Sequence, residues 1–366
     1  MKPQYLPLML ACLLTLVTGL SASHQFDPTT SPTQDRQEPT FPTTVTQGEL
    51  YDHYVTGNDA DVIRTTTGGL LLAGGGTDQP DAFRWLIDHA GGGDIVVLRA
   101  SGSDGYHPFV MRLGGVDSIE TFVVKSREAS TDSMLLNRLR HAEAIFFAGG
   151  DQSRYVTYFK GTPIEEAVNA AARRGVPIGG TSAGLAVMGE FSYAAMKDSV
   201  TTAEAVADPF SPNITLDRDF LSLPHMSGII TDSHVIERGR LGRTVAFMAR
   251  LQQDGWLAAT ATAQGRPARA LAIDRETAVL VESDGTATVV GPKTAYFMES
   301  ARPPQRCEPG AALSYFPIAV YKVSRGSTFN FKTWTGTGGA ALTAAVRDGV
   351  FDMTDGVAGS RERLAP

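Results

Sequence analysis

The sequence predicts an α/β fold in which a mostly parallel sheet lies between two layers of helices, with a C-terminal β-rich extension. From about residue 61, short apolar runs alternate with helical stretches. Strands that are apolar almost throughout are typical of parallel sheets covered on both faces, and three-layer sandwiches are built in this way. Past Arg250 the runs are joined by tight turns, which favours β-hairpins.

The elements of the predicted sandwich follow one another in a regular order. A strand over residues 69–73 runs into the turn Gly74-Gly-Gly-Thr77. A helix over residues 80–89 follows, with Phe83, Leu86 and Ile87 on one face. Further strands are predicted at residues 94–98, 121–124 and 144–148, and a further helix at residues 131–139.

The next helix and strand lead to the most informative stretch. Pro163 begins a helix with acids in its first turn and arginines in its last, and Gly175 ends it. Residues 176–181 then predict a strand, and Gly180-Thr-Ser-Ala-Gly184 has the pattern G-x-S-x-G. Between a strand and a helix, this pattern forms a nucleophile elbow that presents the serine hydroxyl at the sheet edge. The alternative is an ordinary Gly/Ser-rich loop.

Other loops are expected at the same edge, because the carboxyl ends of parallel strands lie together and bind ligands there. A short apolar run at residues 228–231 precedes Asp232-Ser-His234. We therefore expect Ser182 and His234 on one rim of one sheet. The expected rim also includes Gly74–Gly76, Ser101 and Gly149–Gln152.

The C-terminal part predicts strands only. Residues 270–273, 277–281 and 286–290 are expected to form hairpins, with a turn at 283–285. A further strand is expected at residues 315–323. The remaining residues, 326–366, are rich in Gly, Thr and Ala and predict no particular element.

Composition limits the function. The chain has 366 residues, of which 42% are apolar, so it can bury a large core as one large domain or two modest ones. Its net charge is −7, which argues against a nucleic-acid partner, because phosphate binding needs a basic face. We expect no nucleic acid among its partners.

The N-terminus predicts export. Lys2, the apolar run at residues 6–20 and the small residues 21–23 have the three parts of a secretory signal peptide. We expect cleavage near Ser23, a secreted or periplasmic protein and no membrane anchor after cleavage. Cys307 would then be the only cysteine, which excludes an internal disulfide. The predicted divisions are a signal peptide (1–23), a flexible Thr/Pro-rich lead-in (24–60), the α/β catalytic domain (61–300) and the extension (301–366).

His234 is the candidate base for Ser182, because a serine hydroxyl needs an imidazole to take its proton. His225 is the competing candidate, but no apolar strand delivers it to the rim. Three arginines, Arg238, Arg240 and Arg243, follow His234. Arginines at a helix start are unfavourable for the helix dipole, which indicates an acidic ligand or partner, since guanidinium groups bind carboxylates.

Three stretches together resemble the peptidase S51 family, which includes cyanophycinases and related serine exopeptidases. They are Phe147-Ala-Gly-Gly-Asp-Gln152, Gly180-Thr-Ser-Ala-Gly184 with Val187-Met188, and the Asp232-x-His234-x-x-x-Arg238-x-Arg240-x-Gly-Arg243 motif. The resemblance covers about residues 69–250. It implies a fold like that of class I glutamine amidotransferases and a serine mechanism with no metal or other cofactor.

The resemblance also implies roles for particular residues. Ser182 matches the nucleophile and His234 the base, and the N–H groups of Gly150 and Ala183 would form the oxyanion hole. The family's acid is expected between the elbow and the histidine, where we choose Glu204 with Asp198 as second choice. The matching substrate-pocket positions are Gln152, Thr181, Asp232, Arg238, Arg240 and Arg243.

The implied activity is hydrolysis of cyanophycin, a poly-aspartate carrying arginine on its side-chain carboxyls, to β-Asp-Arg dipeptides. Val235, Ser233 and a longer loop at residues 208–219 depart from the family pattern and bear on the substrate. The alternatives are an α-aspartyl dipeptidase and a catalytically silent protein that binds acidic peptides. The sequence leaves the assembly open, with a homodimer as one arrangement.

Overall fold

The computed structural model describes residues 40–258 and 265–355. The predicted signal peptide and the first part of the lead-in therefore lie outside the described residues. Within the described ranges, no helix has both the length and the apolar character needed to cross a bilayer. The residues of these two ranges belong to one compact unit.

The strands and helices are numbered along the chain. The strands are β1 (Thr43–Gln47), β2 (Tyr51–Gly57), β3 (Gly69–Ala73), β4 (Asp94–Arg99), β5 (Ser118–Val124), β6 (Ala144–Phe147), β7 (Ile178–Thr181), β8 (Phe191–Tyr193), β9 (Leu216–Arg218), β10 (Ile229–Ser233), β11 (Ala268–Ile273), β12 (Ala278–Glu282), β13 (Thr286–Val290), β14 (Thr294–Ser300), β15 (Tyr315–Ser324), β16 (Thr328–Asn330), β17 (Thr335–Thr337), β18 (Ala340–Arg347) and β19 (Val350–Asp355). The helices are α1 (Pro80–His89), α2 (His107–Leu113), α3 (Ser133–His141), α4 (Gln152–Phe159), α5 (Pro163–Arg173), α6 (Ala183–Ala186), α7 (Thr202–Ala207) and α8 (Leu241–Gln253), and a 3-10 turn lies at Arg127–Thr131.

The first sheet has the order β1-β2-β5-β4-β6-β7-β3-β12-β13-β16-β17. Its centre, from β5 to β3, is parallel. Antiparallel strands extend it on both sides. The predicted parallel α/β core is thus confirmed, and it continues into antiparallel strands at each edge.

Alternate residues of the central strands pack on opposite faces of this sheet. Leu70 and Leu72 of β3 join a core with α3, α4 and α5, whereas Leu71 joins a core with α1. Val96 and Val97 of β4 divide in the same way. Both faces are therefore covered by helices, as the continuous apolar runs predict.

The second sheet has the order β19-β18-β15-β14-β11-β10-β8-β9. Its β8, β10 and β11 are parallel to one another, and the other pairs are antiparallel. α8 packs on it and buries residues such as Val245 and Phe247 in a separate core. The strand that ends before His234 is thus in this sheet, whereas the strand that ends before Ser182 is in the first. The expectation that one sheet carries both residues is wrong.

The prediction of a flexible lead-in is wrong for residues 43–57, which form β1 and β2. β2 pairs with β5 along its whole length. His53 of β2 is buried and lies 2.8 Å from the Glu120 carboxylate. Thr and Tyr are frequent in this segment, and both favour strands when a neighbouring strand is available to pair with. The Thr/Pro-rich composition hid this pairing.

Two further expectations need correction. β11 and β12 do not form a hairpin, because β11 pairs with β10 and β14 while β12 pairs with β3. The hairpin of β12 and β13 is present. The division at residue 300 falls between β14 and β15, which are hydrogen-bonded neighbours, so the strands beyond it continue the second sheet. Helix α4 was not predicted.

Candidate active site

Ser182 lies on a sharp turn between β7 and α6. Its φ is 53°, a left-handed conformation that costs a non-glycine residue free energy. Gly184 permits the turn, since a β-carbon there would lie 2.1 Å from the carbonyl oxygen of Phe147. The predicted strand-to-helix elbow is therefore present, although the helix that follows has a single turn.

His234 reaches Ser182 from the end of β10 in the second sheet. The Ser182 Oγ and the His234 Nε2 are 2.8 Å apart, within hydrogen-bond distance. His225, the competing histidine, instead lies 3.1 Å from the carbonyl oxygen of Ser283 through its Nε2. The structure thus brings together the two residues that the sequence pairs as nucleophile and base.

The His234 ring is buried in a positively charged environment. Burial, together with Arg238 and Arg240, lowers the pKa of His234 to about 4. The imidazole is therefore neutral at pH 7, with one nitrogen as donor and the other as acceptor. If Nε2 accepts from Ser182, the proton is on Nδ1, which has no hydrogen-bond partner among the described residues.

The glycine loop after β6 lies beside the serine. A β-carbon at Gly149 would lie 3.4 Å from the Ser182 β-carbon, and Gly150 lines the same cavity as Ser182. Ala183 is the first residue of α6, so its N–H has no acceptor within that helix. The proposed oxyanion donors, Gly150 and Ala183, thus flank the serine.

A polar cavity of about 310 Å³ opens in front of Ser182. Five of the six predicted pocket residues line it, and two of these, Arg238 and Arg240, lack any carboxylate within 4.0 Å in the described ranges. Arg240 is half-buried and donates to the carbonyl oxygen of Ser233. Burial and the nearby Arg243 lower its pKa to about 10. The cavity therefore presents a partly desolvated cation that has no counter-ion in the described part of the chain.

Asp232 and Arg243 form a buried ion pair at the wall of this cavity. Arg243 donates to both carboxylate oxygens, at 2.9 and 2.6 Å, and Thr244 donates to one of them. Burial opposes ionisation of Asp232, but the charge of Arg243 outweighs it, so the pKa of the carboxyl lies below its usual value. The arginine also lies over the Tyr193 ring. Its charge is already satisfied, unlike that of Arg240.

The remaining predicted pocket residues differ in position. Gln152 begins α4 and lines the cavity, with its amide 3.4 Å from the carbonyl oxygen of Tyr193. Thr181 is buried at the end of β7, outside the residues that line the cavity, and its hydroxyl has no hydrogen-bond partner in the described chain. Of the six predicted pocket positions, Thr181 is thus the one that does not line this cavity.

The choice of Glu204 as the acid behind His234 is wrong in this structure. Glu204 forms a capping box at the start of α7, where its carboxylate accepts from Thr201. Asp198, the second choice, lines the cavity but is exposed and makes no ion pair among the described residues. Neither carboxylate lies within 4.0 Å of the His234 ring nitrogens. Both choices came from the expectation that the acid precedes the histidine.

The sequence reasoning passed over Glu237, three residues after His234. Its Oε2 is 3.9 Å from the His234 Nδ1, closer than any other acid oxygen of the described residues. The signal was available within the quoted motif, because residues three apart in a helical turn are neighbours. Tyr193 and Lys197, which also line the cavity, carried no pattern that marks them.

A serine hydroxyl held against a neutral imidazole, beside a polar cavity, is the arrangement of a serine-type hydrolase. A model of peptidase family S51 matches residues 113–228, a range that includes the Gly149-Gly-Asp-Gln152 loop and Ser182. The cyanophycinase of Synechococcus elongatus is 27% identical over 287 residues, covering 72% of this chain and 80% of the relative. That of Geminocystis herdmanii (strain PCC 6308) is 25% identical over 291 residues, covering 72% and 94%. The chain is therefore similar to peptidase family S51 over part of its length and is a serine-type peptidase.

Two solved structures are also similar. One is a peptidase from an acI-B1 Actinobacterium, with a TM-score of 0.48 and 15% identity, covering 73% of this chain and 98% of that one. The other is a putative peptidase E protein from Listeria monocytogenes EGD-e, with a TM-score of 0.40 and 16% identity, covering 62% and 100%.

Proposed function

We propose that this protein is an exported serine exopeptidase that hydrolyses cyanophycin, or a similar β-aspartyl-arginine polymer, to dipeptides. The observation that carries the proposal is the Ser182 to His234 contact of 2.8 Å beside a cavity with two arginines that lack carboxylate partners among the described residues. The curated relatives named cyanophycinase support the choice of substrate.

The proposed chemistry is acyl transfer through Ser182. His234 takes the hydroxyl proton at Nε2 while Oγ attacks the peptide carbonyl carbon. The N–H groups of Gly150 and Ala183 stabilise the negative charge on the carbonyl oxygen. The protonated imidazole then gives its proton to the leaving amine, and water hydrolyses the acyl-enzyme by the same steps in reverse order.

The cavity chemistry suits a substrate with free carboxylates. A carboxylate bound by Arg240 would neutralise a half-buried cation, and charge-assisted hydrogen bonds of this kind are stronger than neutral ones. Arg238 supplies a second, exposed cation at the same cavity. In such a polymer the aspartyl α-carboxyls form the backbone peptide bonds. The free carboxylates are those of the arginine units and of the C-terminal aspartate, and these cations can bind them.

We also propose that the chain is exported and cleaved near Ser23. The support is the charged start, the apolar run and the small residues of positions 2–23. N-terminal sequencing of the mature protein tests this. A mature chain that begins at Met1 would contradict it.

The function is tested by incubating the mature protein, without added metal, with insoluble cyanophycin and separately with an α-linked Asp dipeptide. Soluble products are identified by mass spectrometry. Release of β-Asp-Arg is the expected result. Cleavage of the α-linked dipeptide alone would point to an aspartyl dipeptidase, and binding without cleavage of either would point to a silent binding protein.

Two variants connect the activity to the site. Ser182→Ala is expected to abolish hydrolysis while substrate binding remains, and retained turnover would refute the nucleophile. Arg240→Gln is expected to raise KM about 10- to 100-fold through loss of a charge-assisted hydrogen bond. Arg112→Gln is the matched control, because Arg112 is exposed and lies outside the residues that line the cavity.

A further inference from the structure

We propose that Glu237 is the positioning residue for His234 and that Arg275 binds the other oxygen of the Glu237 carboxylate. The inference rests on the proposed serine mechanism, in which His234 takes the Ser182 proton. It concerns the acid behind the imidazole, for which the sequence suggested Glu204 or Asp198. The acid would thus come from the turn that directly follows the histidine.

The Nδ1 nitrogen of His234 lacks a hydrogen-bond partner among the described residues. When Nε2 accepts the Ser182 proton, Nδ1 must be a donor, and a buried donor without an acceptor is costly. Nδ1 is buried and makes no hydrogen bond to any described residue. The acid oxygen nearest to it in these ranges is the Glu237 Oε2, at 3.9 Å.

The two carboxylate oxygens of Glu237 differ in their hydrogen bonding. Arg275, in the turn after β11, donates from Nη1 to the Glu237 Oε1 at 2.6 Å. The Oε2, on the His234 side, accepts no hydrogen bond from the described residues. The carboxylate is therefore bound through one oxygen, and the other is available to Nδ1.

Hydrogen bonds to Asp274 fix the backbone of the turn that carries Glu237. The buried carboxylate of Asp274 accepts from the N–H of Ile236 at 3.0 Å and from the Thr294 hydroxyl at 2.7 Å. This holds the turn that carries Glu237 against the start of the β11 to β12 connection. Arg275 is the next residue after Asp274, so the same anchor aligns both partners of the ion pair.

The His234 Nδ1 and the Glu237 Oε2 must approach each other by about 1 Å to form a hydrogen bond, since N–H···O hydrogen bonds measure about 2.7–3.2 Å between donor and acceptor. Rotation about the side-chain bonds of Glu237 is enough for this. The side chains of Glu237 and Arg275 are 37% and 36% exposed, so their ion pair restrains the carboxylate only weakly. Proton transfer to His234 would draw Oε2 to Nδ1, because the imidazolium attracts the carboxylate.

The test measures covalent modification of Ser182 by a fluorophosphonate. In this reaction the Oγ–P bond forms, the P–F bond breaks with loss of fluoride, and the serine proton passes to His234. The rate depends on the serine and its base and requires no polymer. A protein that labels normally but leaves cyanophycin intact would refute the proposed substrate and leave this inference standing.

Three variants separate positioning from a merely structural ion pair. Glu237→Ala is expected to slow labelling about 10- to 100-fold. Glu237→Gln is expected to slow it further, because an amide N–H donated to Nδ1 favours the tautomer with the proton on Nε2, which cannot accept from serine. Arg275→Ala is expected to label at close to the wild-type rate. Glu204→Gln is the same chemical change at the acid suggested by the sequence, and glutamine can keep its capping box.

The pH dependence of labelling gives a second readout. The charged groups around His234 are Arg238, Arg240 and Glu237 on its own segment and Arg275 on the facing turn. Glu237 raises the pKa of His234 and Arg275 lowers it. The midpoint should therefore move to lower pH in Glu237→Ala and to higher pH in Arg275→Ala. Equal labelling rates in all three variants, or slow labelling in Glu204→Gln alone, would overturn the inference.

Discussion

Ser182 and His234 both have a positive φ, which is 53° in each residue. Such conformations cost about 1–3 kcal/mol in non-glycine residues and persist only where the surroundings enforce them. Here two neighbouring carbonyls at the end of β3 enforce both. The N–H of Ser182 donates to Ala73 and the N–H of His234 donates to Gly74, each at 3.1 Å. Adjacent acceptors explain why residues from two sheets meet.

The first prediction at this scale concerns pH. Burial and the nearby arginines lower the pKa of His234 to about 4, and the base must be neutral to accept a proton. The free enzyme should therefore keep kcat/KM at mildly acidic pH and lose it as pH falls through about 4. A pH profile of kcat/KM checks this. A midpoint near the ordinary histidine value, about 6.5, would contradict it.

The second prediction concerns the buried pair of Asp232 and Arg243. Asp232→Ala removes one partner and leaves the Arg243 guanidinium buried without its counter-ion. The expected loss is about 3–5 kcal/mol in the free energy of unfolding. Urea denaturation measures it. Asp198→Ala is the matched control, because that carboxylate lines the same cavity but is exposed, and a similar loss in both variants would refute the argument.

At the scale of elements, the turn after β3 shapes the site. A β-carbon on Gly75 would lie 2.3 Å from the His234 Nε2, and the φ of Gly75 is +93°. Any side chain here would therefore displace the imidazole as well as strain the backbone. The sequence predicted this turn as a glycine-rich loop of the rim. In the structure its Gly75 leaves the space that the His234 ring occupies.

The prediction for this element compares two glycines. Gly75→Ala should remove nearly all activity and cost about 1–3 kcal/mol of stability through strain and overpacking. Gly114→Ala is the control, because its φ of +72° is similarly strained but no atom lies within 4 Å of the added carbon. Activity assays and thermal unfolding of both variants separate the clash from the strain. Equal activity in the two variants would show that the space at Gly75 is not needed to position His234.

At the scale of the whole molecule, two sheets share a core, to which Leu72 of β3 and Leu271 of β11 both belong, and they meet at the catalytic residues. β12 is paired with β3 of the first sheet, while β11, just before it, is paired with β10 of the second. The chain thus passes from one sheet to the other within the short β11 to β12 connection. This crossing carries Asp274 and Arg275 to the site. Strands far apart in the sequence therefore determine the geometry around His234.

The prediction at this scale concerns the N-terminal boundary of the folded part. A chain that begins at Asp61 lacks β1 and β2, whereas one that begins at Thr40 keeps them. Loss of β2 exposes the edge of β5 and removes His53 from the buried Glu120. The shorter chain should unfold at a lower urea concentration, because the β5 edge loses its backbone partners and Glu120 is left with Arg138 alone. Identical urea midpoints would show that these strands add nothing.

Elements that depend on residues close together in the chain could be predicted from the sequence. The apolar runs, the caps of α5 and the G-x-S-x-G turn each depend on neighbouring residues, and the structure has a strand, a helix and an elbow there. The pairing of Ser182 with His234 was also predicted, because both follow apolar strands and carry a recognisable motif.

The pairing of strands and the contacts between charged side chains could be established only from the tertiary structure. Strand pairing joins residues far apart in the chain, so the sequence could not assign β10 to a second sheet or β2 to the edge of the first. The neutralisation of Arg243 by Asp232, the free cation of Arg240 and the closeness of Glu237 to His234 depend on distances after folding. Coulomb energy and hydrogen bonding change over an ångström, and sequence spacing does not fix distances on that scale.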